Sequence, residues 1–289
     1  MTDPASAPAR PSSVGSRPAP SALVPIALAP LLIVALMLFA GSGAMFFVRG
    51  WNLEGFSAVQ AWSIRLPDSL WAAITVCGSG LGAFAILSIA LRSRPRWVAA
   101  GLATAPIAGL YSNLVKRIVA LPRPAAVLAP DHIHVIGETL RNNSFPSGHA
   151  VTAFAFAAIV VLASRRPLVV ALWMVPLAAL IALSRIAVGA HWPADLAAGA
   201  AGGWLSGACG VAIATRWRQW NTVRGIRAMA LIMMVVGSAL LLADLGYPLA
   251  WPLQFTLGIV AIVSGACAFA WPRMDPHCVE LPRSVSAPR

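Results

Sequence analysis

Charge is scarce in this chain. Only 10% of its 289 residues are charged, against about 25% in a soluble globular domain, which excludes a water-borne fold. Acid is scarcer still, with nine Asp and Glu facing 21 Lys and Arg. Cysteine is limited to four residues: Cys77, Cys209 and Cys267 fall in apolar runs and Cys278 near the end, with no metal-spaced pair and no disulfide framework. Apolar–polar alternation is missing too, and the continuous runs exclude a transmembrane β-barrel.

What remains is long apolar sequence. Hydrophobic residues make up 59% of the chain and the mean hydropathy is +0.78. A helix needs roughly 20 apolar residues to cross ~30 Å of hydrocarbon, and the pattern predicts eight such helices, near 23–48, 70–91, 97–119, 149–163, 168–188, 195–215, 226–243 and 250–271. The fourth is short and reaches spanning length only if its polar start near Ser147 is helical as well. The expected class is therefore all-α and polytopic. "MTDPASAPARPSSVGSRPAPSA" is rich in Pro, Ala and Ser and reads as a disordered tail. It is too long for a signal-peptide n-region, and the run after it is longer than an h-region, so the first helix is expected to be retained.

Basic residues orient the bundle. With the N-terminus in the cytoplasm, Arg10, Arg17, Arg92, Arg94, Arg96, Arg165, Arg166, Arg216, Arg218, Arg224, Arg227, Arg273, Arg283 and Arg289 all lie inside. Arg49, Arg65, Lys116, Arg117, Arg123, Arg141 and Arg185 lie outside, so both ends are expected to be cytoplasmic. The net charge of +12 then serves orientation and affinity for anionic lipid. Scattered through short loops, it does not make a nucleic-acid surface.

Three polar islands fall on the outer side by this topology: "KRIVALPRP", "PSGH" and "SRIAVGAHWPAD". Each has an ordinary explanation. Lys116 and Arg123 could snorkel to headgroups, Ser147 could cap a helix, and Asp195 could sit in a first turn favoured by the dipole. Together they make coherent chemistry. Lys116, Arg123 and Arg185 suit phosphate oxygens, and the Ser147-Gly148 turn offers backbone N–H groups to an anion. Asp195, four residues beyond His191, can reach one imidazole nitrogen, fix the tautomer and leave the other as a nucleophile. His149 remains as a general acid, with an ordinary pKa near 6.5 suited to that task. One acid in the set leaves no carboxylate cluster for Mg²⁺.

The ordered set Lys116, Arg123-Pro124, Pro146-Ser147-Gly148-His149, Ser184-Arg185, His191 and Asp195 resembles the three-part signature of the type 2 phosphatidic acid phosphatase (PAP2) superfamily, in its membrane branch. The resemblance implies a six-helix core, with the two last helices lying beyond it. It also implies a lipid phosphatase without metal or other cofactor. His191 would attack phosphorus, Asp195 would orient it, and His149 would protonate the leaving group and then activate water. Lys116, Arg123, Ser147, Gly148 and Arg185 would hold the phosphoryl oxygens. The expected divisions are a tail over 1–22, the phosphatase core over 23–215, two extra helices over 216–272 and a second tail over 273–289. The expected setting is a bacterial plasma membrane with the site facing outward, and a lipid phosphate or diphosphate as substrate and partner. A phosphotransferase sharing the histidine intermediate and a non-catalytic lipid transporter are the alternatives.

Three other features complete the reading. Leu53, Phe56, Val59, Trp62 and Leu66 recur at helical spacing, with Glu54, Gln60 and Arg65 between them, as in a helix lying at an interface. Asp131, His132, His134, Glu138 and Arg141 occupy the long loop before Pro146, better suited to a headgroup than to a metal. The glycines of "AAGAAGGWLSGACG" allow close helix packing.

Overall fold

The computed structural model describes residues 24–48 and 50–275, with side chains from 32 onward. The expected tail over 1–22 and the residues Arg10, Arg17, Arg49, Cys278, Arg283 and Arg289 lie outside the described residues. Among these, every regular element is helical, as the apolar runs require when each backbone group must be satisfied within its own segment.

The helices are α1 (Val24–Phe47), α2 (Trp51–Ser63), α3 (Asp68–Cys77), α4 (Gly80–Ser88), α5 (Pro95–Val119), α6 (Pro124–Val127), α7 (Gly148–Leu162), α8 (Pro167–Ala187), α9 (Pro193–Arg216), α10 (Val223–Leu242) and α11 (Trp251–Ala270). Among the described residues, five stretches are long and apolar enough to cross a membrane unbroken, and the number rises to seven if each bent pair is one span. This corrects the expectation of eight: three of the expected runs are not among the five, since those near 23–48 and 70–91 count only as parts of bent pairs and that near 149–163 is too short. The run near 70–91 is two helices bent by 72°, because Ser79 accepts from the Gly82 N–H at 3.0 Å and starts a new helix. The break sits under the site: a Cβ on Gly78 would stand 2.5 Å from Ile181 and 3.3 Å from His149.

A further correction concerns α7. Ser147 is its cap and lies outside it, leaving 15 residues, about 22 Å at 1.5 Å per residue. Ten of those residues are buried, so α7 is an interior helix that α8, α9 and α5 shield. It packs backbone to backbone on α9. A Cβ on Gly199 or Gly207 would come within 2.6 Å of the Ser147 or Ala155 carbonyl, and one on Gly203 would collide with the Val151 carbonyl. The small residues thus set the α7–α9 distance, and with it the spacing of the polar ends of both helices.

Between α1 and α2 the chain turns by 101° at Gly50, whose φ of +92° suits a residue without Cβ. The faces of α2 are not those its periodicity suggests. Phe56, Gln60 and Ser63 point inward, whereas Leu53 and Trp62 are about half exposed. Gln60 is a strut. Its amide donates to the Ile186 carbonyl at 2.6 Å and the Ala187 carbonyl at 3.1 Å, and its oxygen accepts from the His134 N–H at 2.8 Å. It thereby ties the long loop to the end of α8. The pair α10–α11 closes on itself through Gly237 and Gly258 and packs against α4.

Candidate active site

His191 lies in the short link from α8 to α9, one residue before the Trp192 cap, and is 2% exposed. Pro193 begins α9, which puts Asp195 in its first turn. Asp195 Oδ2 stands 3.1 Å from His191 Nδ1 and accepts from the Trp192 N–H at 2.9 Å and from the Ser144 hydroxyl at 2.5 Å. Those two donors fix the carboxylate, so it can accept from Nδ1–H and leave Nε2 with a free lone pair. Asp195 Oδ1 is buried with no partner. Trp192 locks the link from outside, its indole donating to the Pro122 carbonyl at 3.0 Å and its ring packing 5.1 Å from Phe56.

The cations take different duties. Arg123 is buried; its Nη1 lies 3.3 Å from His191 Nε2 and donates to the Ala190 carbonyl at 3.1 Å, while Nε donates to the Asn142 carbonyl at 2.7 Å. It therefore links the nucleophile candidate to the loop before α7. Lys116, near the end of α5, donates to the Asn143 carbonyl at 3.1 Å and the Pro146 carbonyl at 2.7 Å. Its ammonium holds that loop, so an anion would share it. Arg185, from the last turn of α8, is 2% exposed. Its Nη1 donates to the Thr75 hydroxyl at 2.7 Å and the Tyr247 hydroxyl at 2.6 Å, and its Nε is buried without a partner. Ser184 bonds back to the Ile181 carbonyl at 2.6 Å and belongs to the helix.

Ser147 caps α7 by accepting from the Ala150 N–H at 3.4 Å, and its own N–H donates to the Asp195 carbonyl at 3.0 Å. That bond ties the start of α7 to the start of α9. Gly148 opens the helix, and His149 follows on a wall of a cavity of about 360 Å³ between α4, α5 and α7. Ala83, Phe84, Leu87, Ala108, Phe156 and Ile159 make most of its lining apolar, and Thr104, Ser112, Asn113 and Thr152 line it together with His149. Burial, reinforced by the charges of Arg123, Arg185 and Lys116, holds the His191 imidazole well below its ordinary pKa of 6.5. The shift favours the neutral imidazole.

The side chains of His132, His134 and Arg141 are engaged away from this centre, whereas the Arg141 carbonyl accepts from the Arg123 N–H at 2.9 Å and Glu138 lies close enough to act on the Arg123 charge. His134 pairs with Asp68 at 2.9 Å, His132 with Asp131 at 3.7 Å, and Arg141 donates to the Ala125 carbonyl at 3.3 Å. Among the described residues, no three His, Cys, Asp or Glu side chains are gathered to hold a metal. The residues the motifs did not reveal are Ser144, Thr75 and Tyr247. Ser144 lies within the "NNSFPSGH" stretch, and Tyr247 is one of two tyrosines in the chain, set in a loop between apolar helices.

Residues 94–223 match the model of the PAP2 superfamily. Lipid A 1-phosphatase of Rhizobium etli is 36% identical over 124 residues, which are 38% of this chain and 48% of that protein. Decaprenylphosphoryl-5-phosphoribose phosphatase of Mycobacterium tuberculosis is 41% identical over 119 residues, 40% of this chain and 60% of that protein. The chain thus spans about half to three fifths of the length of these curated relatives. The crystal structure of Aquifex aeolicus LpxE aligns with 26% identity over 57% of this chain and 95% of that one, at a TM-score of 0.49. All the motif residues from Lys116 to Asp195 fall inside the matched segment, so it is residues 94–223 that carry the likeness to the PAP2 superfamily.

Proposed function

We propose that this protein is an integral-membrane phosphatase that removes phosphate from a lipid phosphate or diphosphate through a phosphohistidine on His191. The observation that carries the reading is the His191 geometry: Nδ1 is 3.1 Å from Asp195, and Nε2 is turned to Arg123 in a site with three cations. Nε2 attacks phosphorus, the bond from phosphorus to the lipid oxygen breaks, and His149 gives its proton to that oxygen. Water then attacks phosphorus, the P–N bond breaks, and His149 takes the proton of the water. The products are a lipid alcohol, or a lipid monophosphate from a diphosphate, and inorganic phosphate. Arg123, Arg185, Lys116, the Ser147 hydroxyl and the Gly148 N–H hold the equatorial oxygens as charge spreads.

A mostly apolar cavity lined in part by His149 supports a lipid substrate, and the names of both curated relatives point to lipid-linked phosphates. Phosphatidic acid, phosphatidylglycerol phosphate, undecaprenyl diphosphate and a lipid A phosphate all carry the required chemistry. The core over 23–215, the extra helices over 216–272 and the outward-facing site with cytoplasmic ends belong to the same proposal. Its test is phosphate release from those four lipids in detergent, with EDTA present. Release from at least one lipid, lost in His191→Ala, is expected. Release that EDTA abolishes, or that survives His191→Ala, overturns the mechanism.

A further inference from the structure

The helix pair α10–α11 lies beyond the matched segment, yet the loop joining it enters the site. Gly246 adopts φ +75°, its N–H bonded to Asp244 Oδ1 at 2.8 Å. Its carbonyl accepts from the Glu138 N–H at 3.0 Å. Opposite it, Gly137 has φ +82°, and a Cβ there would collide with the Gly246 carbonyl. Gln254 closes the loop from α11 by donating to the Leu240 carbonyl at 2.8 Å and the Ala243 carbonyl at 2.6 Å. Tyr247 is buried in one apolar cluster with Trp71, Val76, Ile136 and Val188. The loop is therefore fixed firmly enough to position a side chain.

That side chain meets Arg185. A guanidinium has two N–H bonds on each Nη and one on Nε. Thr75 and Tyr247 together occupy both donors of Nη1, so the edge formed by Nε and Nη2 remains for a ligand. Nε is buried and unpartnered, and an unsatisfied buried donor is costly until an acceptor arrives. An edge of two parallel N–H bonds fits two phosphoryl oxygens. We propose that Tyr247 is a positioning residue for Arg185: its hydroxyl holds Nη1 so that the Nε–Nη2 edge faces the phosphoryl group. The C-terminal helix pair thereby becomes part of the phosphate site. The inference rests on the reading of Arg185 as a phosphate ligand.

The probe is orthovanadate, which can take the five-coordinate geometry of phosphorus in transfer, bound to the full chain in detergent and followed by calorimetry. Tyr247→Phe keeps the ring, whose centroid lies 5.6 Å from the Arg185 guanidinium carbon, and removes only the hydroxyl. It should weaken vanadate about tenfold, as expected for losing a hydrogen bond to a charged group, and lower kcat on the best lipid similarly while KM changes less than threefold. In an Arg185→Lys background the same change should have no further effect, a coupling that a merely structural role would not produce. Vanadate affinity within twofold of wild type in Tyr247→Phe overturns the proposal. So do losses that add fully in the double variant, or a wild type that binds no vanadate. A wild type that shows the coupling but hydrolyses no lipid supports the positioning role and sinks only the proposed reaction. If Tyr247→Phe does not fold, Asp244→Ala, which loosens the same loop, must show the same pattern at smaller size.

Discussion

Replacing Asp195 by Asn probes the proposed orientation of His191 without changing shape. The Ser144 hydroxyl and the Trp192 N–H both donate to Oδ2, so the amide oxygen takes that place. The amide nitrogen then occupies the Oδ1 position, where no donor competes. The Nδ1 contact and the tautomer survive, and what is lost is the negative charge. Unit charges 3.1 Å apart interact by about 5 kcal/mol at an effective dielectric of 20. The imidazole gains only part of a unit charge while Nε2 attacks, so about 3 kcal/mol of transition-state stabilisation should disappear. That is roughly a hundredfold in kcat. Asp195 is 0% exposed and sits behind the histidine, so KM should hardly move. The assay is steady-state phosphate release from a short-chain phosphatidic acid in detergent, with Tm measured on the same preparation. A folded Asp195→Asn protein with kcat within fivefold of wild type would refute the charge argument. So would a loss that appears in KM alone.

Ser144→Ala removes one donor to the same oxygen. It should lower kcat about tenfold through a looser carboxylate, and an unchanged kcat in a fully folded variant would leave Ser144 outside the site. Gly203→Leu drives a side chain into the Val151 backbone, where overpacking costs about 1–3 kcal/mol or more. A clear fall in Tm is expected, and Tm at the wild-type value would deny that the α7–α9 contact is tight. The lowered pKa of His191 carries a sign. Between its folded value and about 6.5 the unfolded chain binds a proton that the folded chain does not, so stability falls as pH drops through that window and is fully present above it. His191→Asn should flatten the dependence of Tm on pH below 6.5, and an unaltered slope would contradict the shift. By the same shift, the acid limb of kcat/KM that belongs to His191 should lie well below pH 6.5.

How much of this was legible beforehand depended on whether the signal was local. The apolar runs give the helices because lipid leaves a backbone no other partner, and the Asp195–His191 spacing is one turn of chain that folds on itself. Gln60 and the break at Gly78 were not legible in this way. A glutamine between apolar residues reads as the wet side of a helix until three carbonyl and amide partners from other segments surround it. A Gly-Ser-Gly inside an apolar run reads as tolerated until Ile181 and His149 press on it from outside. The site divides the same way. Its charged members stand at fixed spacings, whereas the groups that aim them, Ser144, Thr75 and Tyr247, are neutral hydroxyls placed by long-range packing. An apolar chain can hide such groups anywhere, since each needs one partner and no pattern. The same physics marks where to look: among the described residues Arg185 is a buried cation with no acidic partner within ion-pair distance, and charge buried without a counter-charge must find neutral acceptors. Two of them, Thr75 and Tyr247, come from α3 and from the loop before α11, so orienting Arg185 requires both elements to be docked. The C-terminal helices then bear on the site through the orientation of one guanidinium, with no residue of their own in the motifs.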